Sequence, residues 1–287
     1  MGFKILLTEH LSPLGSALLR GFEAHSLSVV SCDGFDAQDL REQVDLHQPA
    51  VIINPQSLAF SGGQDLVGQG HVLLELSRLY NSVLIHFSSH QVFGASQSAA
   101  ALSEFDTPLP EDSYGRELLA QEAILSHWER SLIVRLPWLL DGPDGVLDIL
   151  CHALLCSDEC VVSEAWRGAP VFIEDVVRIT LGMVQQILCG ASNWGIFHLH
   201  SSDSCSEAEL ADHISRLLQK QGYEVSPIAV GTLAQRLIVS NGWLKGLRCA
   251  NNFGFQHRSW RQGIKARVMD WVESEIKTGG LALTKPE

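Results

Sequence analysis

Tyr114, His90 and a run of basic residues beyond position 245 are the side chains with most chemistry to offer in this chain. A phenol ionises near pKa ~10 and exchanges protons at neutral pH only where a positive charge stabilises the phenolate. Tyr114 opens a stretch of helical periodicity, Tyr114–Trp128. Position 118, one turn further along the same face, is a leucine and brings no charge. Arg116 is no substitute, because two residues along a helix is about 200° around it. The phenol therefore has acid–base chemistry in principle and nothing on its own helix to activate it. His90 follows the apolar run Val83–Phe87 and could serve as an acid or base near neutral pH. A polar residue at the rim of a strand is the plainer reading of it.

Lys245, Arg248, Arg258, Arg261, Lys265 and Arg267 lie in one stretch without an intervening Asp or Glu, in a protein of net charge -13. This run, with Arg248 as its ligand-contacting member, is a candidate for a nucleotide-sugar diphosphate, another small anionic ligand or an acidic partner surface. A solvated helix face is the bland alternative. Cys151, His152, Cys156 and Cys160 lack the paired spacing of zinc modules, so buried thiols are expected rather than a metal site. The 7 cysteines are odd in number and scattered, which fits reduced thiols in a cytoplasmic protein. The opening MGFKILLTEH has too short an apolar run for a signal peptide, and no apolar stretch could span a bilayer. The acidic balance excludes general nucleic-acid binding and an anionic membrane surface.

The elements that must position these groups alternate from the start. Apolar strands are expected at Phe3–Thr8, Leu27–Ser31, Val51–Asn54, Val83–Phe87 and Leu132–Leu136. Helices are expected at Leu14–Phe22, Ala37–Leu46, Val72–Leu79 and Tyr114–Trp128. Short, continuously apolar strands separated by helices imply a parallel sheet covered on both faces, hence a doubly wound, Rossmann-type α/β fold. Beyond Asp141 the pattern loosens: Val146–Leu155 helix, Cys160–Val162 strand, Glu174–Leu188 helix, Ile196–Leu199 strand, a helix at Ser206–Gln219 opened by a Ser206/Glu209 capping box, and a closing helix at Trp260–Lys277. We expect a Rossmann-type lobe over 1–140 and a smaller, interleaved substrate lobe over 141–287, with about 168–190 returning to the first. The glycine-rich Ser61–Gly70 stretch follows the Val51–Asn54 strand and could approach a ligand at the sheet's carboxyl edge, though a flexible surface loop is the plainer expectation.

Read in order, IHFSSHQVFG (Ile85–Gly94), EDSYGRELLAQE (Glu111–Glu122), WRGAPVFIED (Trp166–Asp175), GIFHLH (Gly195–His200) and SWRQGI (Ser259–Ile264) resemble VHxSTDYVFDG, NxYGxxKxxGE, QxGxPTxxxD, GxYHL and DWRxGL. These are segments of the dTDP-4-dehydrorhamnose reductase family, extended short-chain dehydrogenases/reductases that reduce a 4-keto-6-deoxy nucleotide sugar with NADPH or NADH. The resemblance implies that Ser89 hydrogen-bonds the substrate carbonyl and Tyr114 donates the proton. It places Gly15, Ser12 and Asn54 at the cofactor, and His90, Trp166 and Arg167 along the substrate cleft, with the Trp166 ring available for stacking.

The departures fall on the chemistry. The family's lysine is Leu118, its Asp-Tyr pair is His90-Gln91, and its opening TGxxGxxGS has Glu9 and Ser12 in place of two glycines. Glycine takes positive φ without steric cost, whereas Glu9 does so with strain. A carboxylate ~4 Å from a diphosphate costs about 4 kcal/mol at an effective dielectric of ~20, unless the side chain turns to water. The retained Gly15 is the one that serves helix–strand packing. We therefore expect a member of the fold that binds NAD(P)H weakly or not at all and acts as a non-reducing ligand- or partner-binding protein, alone or as a homo-oligomer. The alternative is an active NAD(P)H-dependent reductase or epimerase with another cation in the lysine's place.

Overall fold

The structure, a computed structural model, describes residues 3–56, 65–94, 100–142, 145–231 and 241–278. By contact the chain divides into two compact units. Unit 1 comprises Met1–Leu136, Ile173–Leu199 and Leu244–Gln256, and unit 2 comprises Pro137–Phe172, His200–Trp243 and His257–Glu287.

Unit 1 is built on β1 (Lys4–Leu7), β2 (Ser28–Ser31), β3 (Val51–Asn54), β4 (Val83–Ser89), β5 (Ser131–Leu136) and β8 (Gly195–His198). They form one parallel sheet in the order β2-β1-β3-β4-β5-β8. Leu6, Ile52, Leu84 and Ile133 point to one face. There they meet Leu40 and Val44 of α2 (Ala37–His47), Leu73 and Leu76 of α3 (Leu66–Leu79) and Leu125 of α4 (Ser113–Leu125). Residues of the opposite parity, such as Ile5, Ile53 and Ile85, are equally buried, as a parallel sheet covered on both sides requires. α1 (Pro13–Ala24) packs against α6 (Ile173–Leu188) so closely that a Cβ on Gly21 would stand 2.5 Å from Val177. This is a doubly wound, Rossmann-type sheet.

α3 begins at Leu66, earlier than the expected Val72. Asp65 caps it by accepting from the Gly68 amide at 2.8 Å, so Gly68–Gly70 lies in helix rather than in a loop. Two glycines in the first turns masked the helix from propensity alone. Gly70 is there for packing, since a Cβ would come 3.1 Å from Gln121 of α4. The remainder of the glycine-rich stretch, Ser61–Gln64, lies outside the described residues.

Unit 2 contains α5 (Val146–Cys156), β6 (Cys160–Val162), β7 (Arg167–Gly168), β9 (Cys205–Ser206), α7 (Glu207–Lys220), β10 (Ile228–Val230) and α9 (Ile264–Thr278). β10 pairs with β6 in parallel and β7 with β9 antiparallel. The expected capping box is formed: Ser206 Oγ accepts from Glu209 N, and the Glu209 carboxylate accepts from Ser206 N. The closing helix starts at Ile264 rather than Trp260, after Gly263 at φ +88°. Trp138 anchors the core with its indole between two glycines. A Cβ on Gly168 would lie 2.2 Å from the ring and one on Gly242 2.6 Å from it. The segment returning to unit 1 is 173–199, where β8 completes the sheet beside β5. A second return, 244–256, carries α8 (Arg248–Phe253).

Candidate functional site

The sheet order reverses between β1 and β3, and in open α/β sheets the ligand crevice opens at the carboxyl ends of such strands. Beneath that point a buried polar chain runs from the residue just past β1 to β3 and β4. Thr8 Oγ1 donates to Asn54 Oδ1 at 2.6 Å, and Asn54 Nδ2 donates to His86 Nδ1 at 3.1 Å. Asn54 is fully buried with both ends of its amide engaged, so it braces the sheet rather than facing a ligand. Burial holds His86 neutral, its pKa lowered from 6.5 to about 3. Below pH 6.5 the unfolded chain takes up a proton that the folded chain refuses, so this histidine's stabilisation is lost on acidification from pH 6.5 toward 3, by about 1.4 kcal/mol per pH unit. Chemical denaturation at pH 7 and pH 5.5 should show the native protein losing about 1.3 kcal/mol more than a His86→Gln variant, because the unfolded histidine is only partly protonated near pH 6.5. Equal losses would mean that the ring charges within the fold.

Above this chain lies the opening turn. Glu9 takes φ +47° and is 8% exposed, so the strained conformation anticipated for a side chain at this position is adopted. Ser12 caps α1, its hydroxyl accepting from Gly15 N at 3.0 Å, and Pro13 occupies the first helical position. Gly15 is needed for packing, because a Cβ would sit 2.2 Å from the Glu9 carbonyl. After β3 the chain turns through a second left-handed residue, Gln56, at φ +43°.

Tyr114 stands in the first turn of α4, which Asp112 caps through Gly115 N at 2.6 Å. A Cβ on Gly115 would lie 2.3 Å from Gln91 O, so this glycine lets the helix press onto the short 3-10 turn His90–Val92. Burial pushes the Tyr114 phenol up to about 12. A hydrogen bond with Gln56 pulls it down, while the carboxylates of Glu9, Asp112 and Glu117 push it further up. Leu118 is fully buried among Leu66, Val92, Phe93, Leu102 and Leu244. Arg116 is exposed and donates to the Glu111 carbonyl, as its position around the helix requires.

Ser89 ends β4, and its hydroxyl accepts from Gln91 N at 3.3 Å. His90 Nδ1 lies 3.2 Å from Leu136 O and 3.3 Å from Ser89 Oγ, so Nδ1 carries the proton. Desolvation lowers the His90 pKa to about 4, against the pull of that carbonyl. The ring is neutral at physiological pH, which removes it as a replacement cation.

Next to Tyr114's helix, Arg135 and Glu122 form a buried bidentate pair. Arg135 Nη2 donates to Glu122 Oε2 at 2.7 Å and Nε to Oε1 at 3.0 Å. Here is a cation close to α4, already spoken for by its own carboxylate.

The other expected ligand residues are placed differently. Arg248 donates to the carbonyls of Ile196 and Trp194 at 2.9 and 2.6 Å and lies over Phe197, bracing the amino end of β8, whereas ligands approach carboxyl ends. Lys245 and Arg248 belong to unit 1, and Arg258, Arg261, Lys265 and Arg267 to unit 2. Arg261 lies over Trp260 and 3.4 Å from Asp203. Trp166 and Arg167 belong to unit 2. Trp166 is buried, and Arg167 pairs with Glu209 at 3.0 Å and lies over Trp243. All 7 cysteines are free thiols. Among the described residues no cluster of three metal-ligating side chains occurs and no helix is long and apolar enough to cross a membrane.

A cleft of about 410 Å³ in unit 1 is lined by Glu9, Leu11, Ser12, Asp33, Gly34, Phe35 and Gln69. Asp33 and Phe35 escaped the reading of the sequence, whereas Gln69 belongs to the glycine-rich stretch that could approach a ligand at the sheet's carboxyl edge. The signal for Asp33 was available: a carboxylate just past the second strand, about 20 residues beyond the opening turn, is where a ribose hydroxyl is accepted in such folds.

The RmlD substrate binding domain family matches residues 68–272 of the chain. The methionine adenosyltransferase 2 subunit beta of Danio rerio is 22% identical over 264 residues, 81% of this chain and 80% of that protein. The crystal structure of a dTDP-4-dehydrorhamnose reductase from Clostridium acetobutylicum superposes with a TM-score of 0.78 at 22% identity, covering 94% of this chain and 100% of that one. That of the Bacillus anthracis dTDP-4-dehydrorhamnose reductase in complex with NADP gives 0.75 at 18% identity, over 94% and 99%. With a fold shared with these structures and a family match over residues 68–272, the chain belongs to the RmlD substrate binding domain family.

Proposed function

We propose that this chain is a non-reducing member of its family that uses the fold to bind a ligand or a partner protein. The observation that carries the reading is Tyr114: its phenol is pushed up to about 12, with apolar Leu118 where a cation would activate it. Proton transfer from such a group at neutral pH lacks the driving force that general acid–base catalysis requires. His90 is neutral and Arg135 is held by Glu122, so neither replaces the missing charge.

The residues also fit a dinucleotide poorly. A diphosphate at a helix N-terminus uses free backbone N–H groups. Here Pro13 has none, Gly15 N is already bonded to Ser12 Oγ, and the buried Glu9 adds a like charge. The B. anthracis reductase holds NADP on this fold, whereas the Danio rerio relative is by name a subunit of a larger enzyme, which supports a binding role in an assembly. A 4-keto-6-deoxy nucleotide sugar incubated with the protein and NADPH or NADH should show no cofactor oxidation above the protein-free rate. Oxidation that Tyr114→Phe abolishes would establish the reductase instead.

A further inference from the structure

The amino ends of the strands of unit 1, away from the cleft at the opening turn, carry exposed apolar side chains and unneutralised cations in a chain of net charge -13. We infer that this edge docks an acidic amphipathic helix of a partner protein. The surface lies at the other end of the strands from Ser89 and the opening turn, so the inference goes beyond the non-reducing reading and does not depend on it.

Because the six strands are parallel, the residues that lead into them gather along one edge. Phe3 precedes β1, Leu46 lies in the last turn of α2 before β3, and Leu79 ends α3 before β4. They are 60%, 72% and 69% exposed. Scattered singly such residues need no explanation, but gathered together they mark an interaction surface. Two bonds gather these three. Lys4 Nζ lies 3.3 Å from His47 Nδ1, which draws Phe3 and Leu46 together, and Tyr80 OH donates to Asp45 Oδ1 at 2.7 Å, which joins the ends of α2 and α3. The strip continues past Leu79. Arg130, just before β5, donates from Nη1 to the Asn81 carbonyl at 2.6 Å and lies 5.9 Å from the ring of Trp194, just before β8. Arg130 and half-buried Trp194 line a cleft of about 400 Å³ together with Ile187.

The cations along this edge are held by neutral acceptors, which leaves their charge unspent. Lys4 is held by the His47 ring, Arg78 by the His127 carbonyl at 2.6 Å and Arg130 by the Asn81 carbonyl. The carboxylates beside them are Asp45, which already accepts from Tyr80, and Glu129. Fixed cations beside apolar anchors select a segment that presents carboxylates next to leucines. Strand ends, unlike a strand edge, offer no ladder that an extended peptide can join. The occupant must therefore satisfy its own backbone, as a helix does. From β1 to β8 the strip is about 19 Å long at the usual strand spacing, the length of a helix of about 13 residues.

Fluorescence anisotropy with a labelled synthetic helix of about 14 residues tests this, with leucines on one face and glutamates along its flanks. The same peptide with lysine for glutamate is the comparison. The full chain should bind the glutamate peptide about tenfold more tightly than the lysine peptide. Leu46→Ser combined with Leu79→Ser, both at exposed positions, should weaken binding about tenfold, and Arg78→Gln about threefold. Val230→Ser, which removes a comparably exposed apolar residue of unit 2, should leave it unchanged. Equal binding of the two peptides would overturn the inference, as would equal binding by the native and doubly substituted chains, or no binding of the glutamate peptide at millimolar concentration. Sedimentation equilibrium of the chain alone addresses the other occupant. A dimer that the double substitution dissociates would mean that a second copy covers this edge, and would overturn the inference as well. The sugar-reduction assay decides the non-reducing reading separately from all of these outcomes.

Discussion

Arg135→Leu is expected to cost about 3–5 kcal/mol of stability, because it strands a carboxylate inside the sheet–helix interface. Glu122 is 2% exposed and receives three bonds from the guanidinium, two from Nε at 3.0 and 3.2 Å and one from Nη2 at 2.7 Å. The same guanidinium lies over the Phe93 ring and places Nη1 3.4 Å from His198 Nε2, so its loss disturbs two further groups. The attraction within a buried pair is largely spent on desolvating both ions, so the cost of the single substitution measures the orphaned charge rather than the worth of the pair. A double variant, Glu122→Leu with Arg135→Leu, should therefore recover most of the loss. Urea denaturation of the two variants checks this. A double variant as unstable as the single one would show that the pair itself, rather than the stranded carboxylate, carries the stability.

Leu118→Lys, the obvious way to rebuild a reductase, should instead damage the fold by about 4–5 kcal/mol. The side chain at 118 has no exposure and is surrounded by Leu66, Val92, Phe93, Leu102 and Leu244. An ammonium there would lose its hydration without a free carboxylate among those neighbours, and burial would drive the lysine toward its neutral form. A neutral amine cannot stabilise a phenolate, so proton transfer by Tyr114 should not return even in the fraction that folds. Leu118→Met, which keeps the volume and apolar character, should cost less than about 1.5 kcal/mol and acts as the control. The two are separated by denaturation midpoints at pH 7. A Leu118→Lys protein of native stability that oxidises NADPH would show that the pocket around position 118 is open to solvent and that the cofactor site survives.

Together these variants ask what has become of a reductase's working parts. Tyr114 and Ser89 are present, and position 118 packs in an apolar cluster. Glu9 and Gln56 hold left-handed conformations that glycine would adopt freely. Such strain tends to persist at sites with a function.

Much of this was legible along the chain. Runs such as Ile5–Leu7, Val51–Asn54 and Val83–Phe87 are continuously apolar because both faces of a parallel sheet are buried, and that property depends on local composition alone. The capping box at Ser206 and Glu209 is likewise local. That position 118 carries no charge and that Arg116 points away follow from residue identity and helical geometry, and the strain at residue 9 from the resemblance, whose pattern has glycine there. What a residue touches across the fold did not follow. Asn54 reads as a ligand contact until Thr8, just past β1, and His86 of β4 are seen to use both ends of its amide. Arg248 reads as an anion binder until the carbonyls of Trp194 and Ile196 claim it. Asp33 and Gln69, far from Glu9 in sequence, become its neighbours in one cleft only because β1, β2 and α3 converge there. Hydrophobic periodicity is set by neighbours within a few residues and survives any reading of the sequence. The partners of a polar side chain are set by which strands lie side by side, and tertiary structure alone decides that.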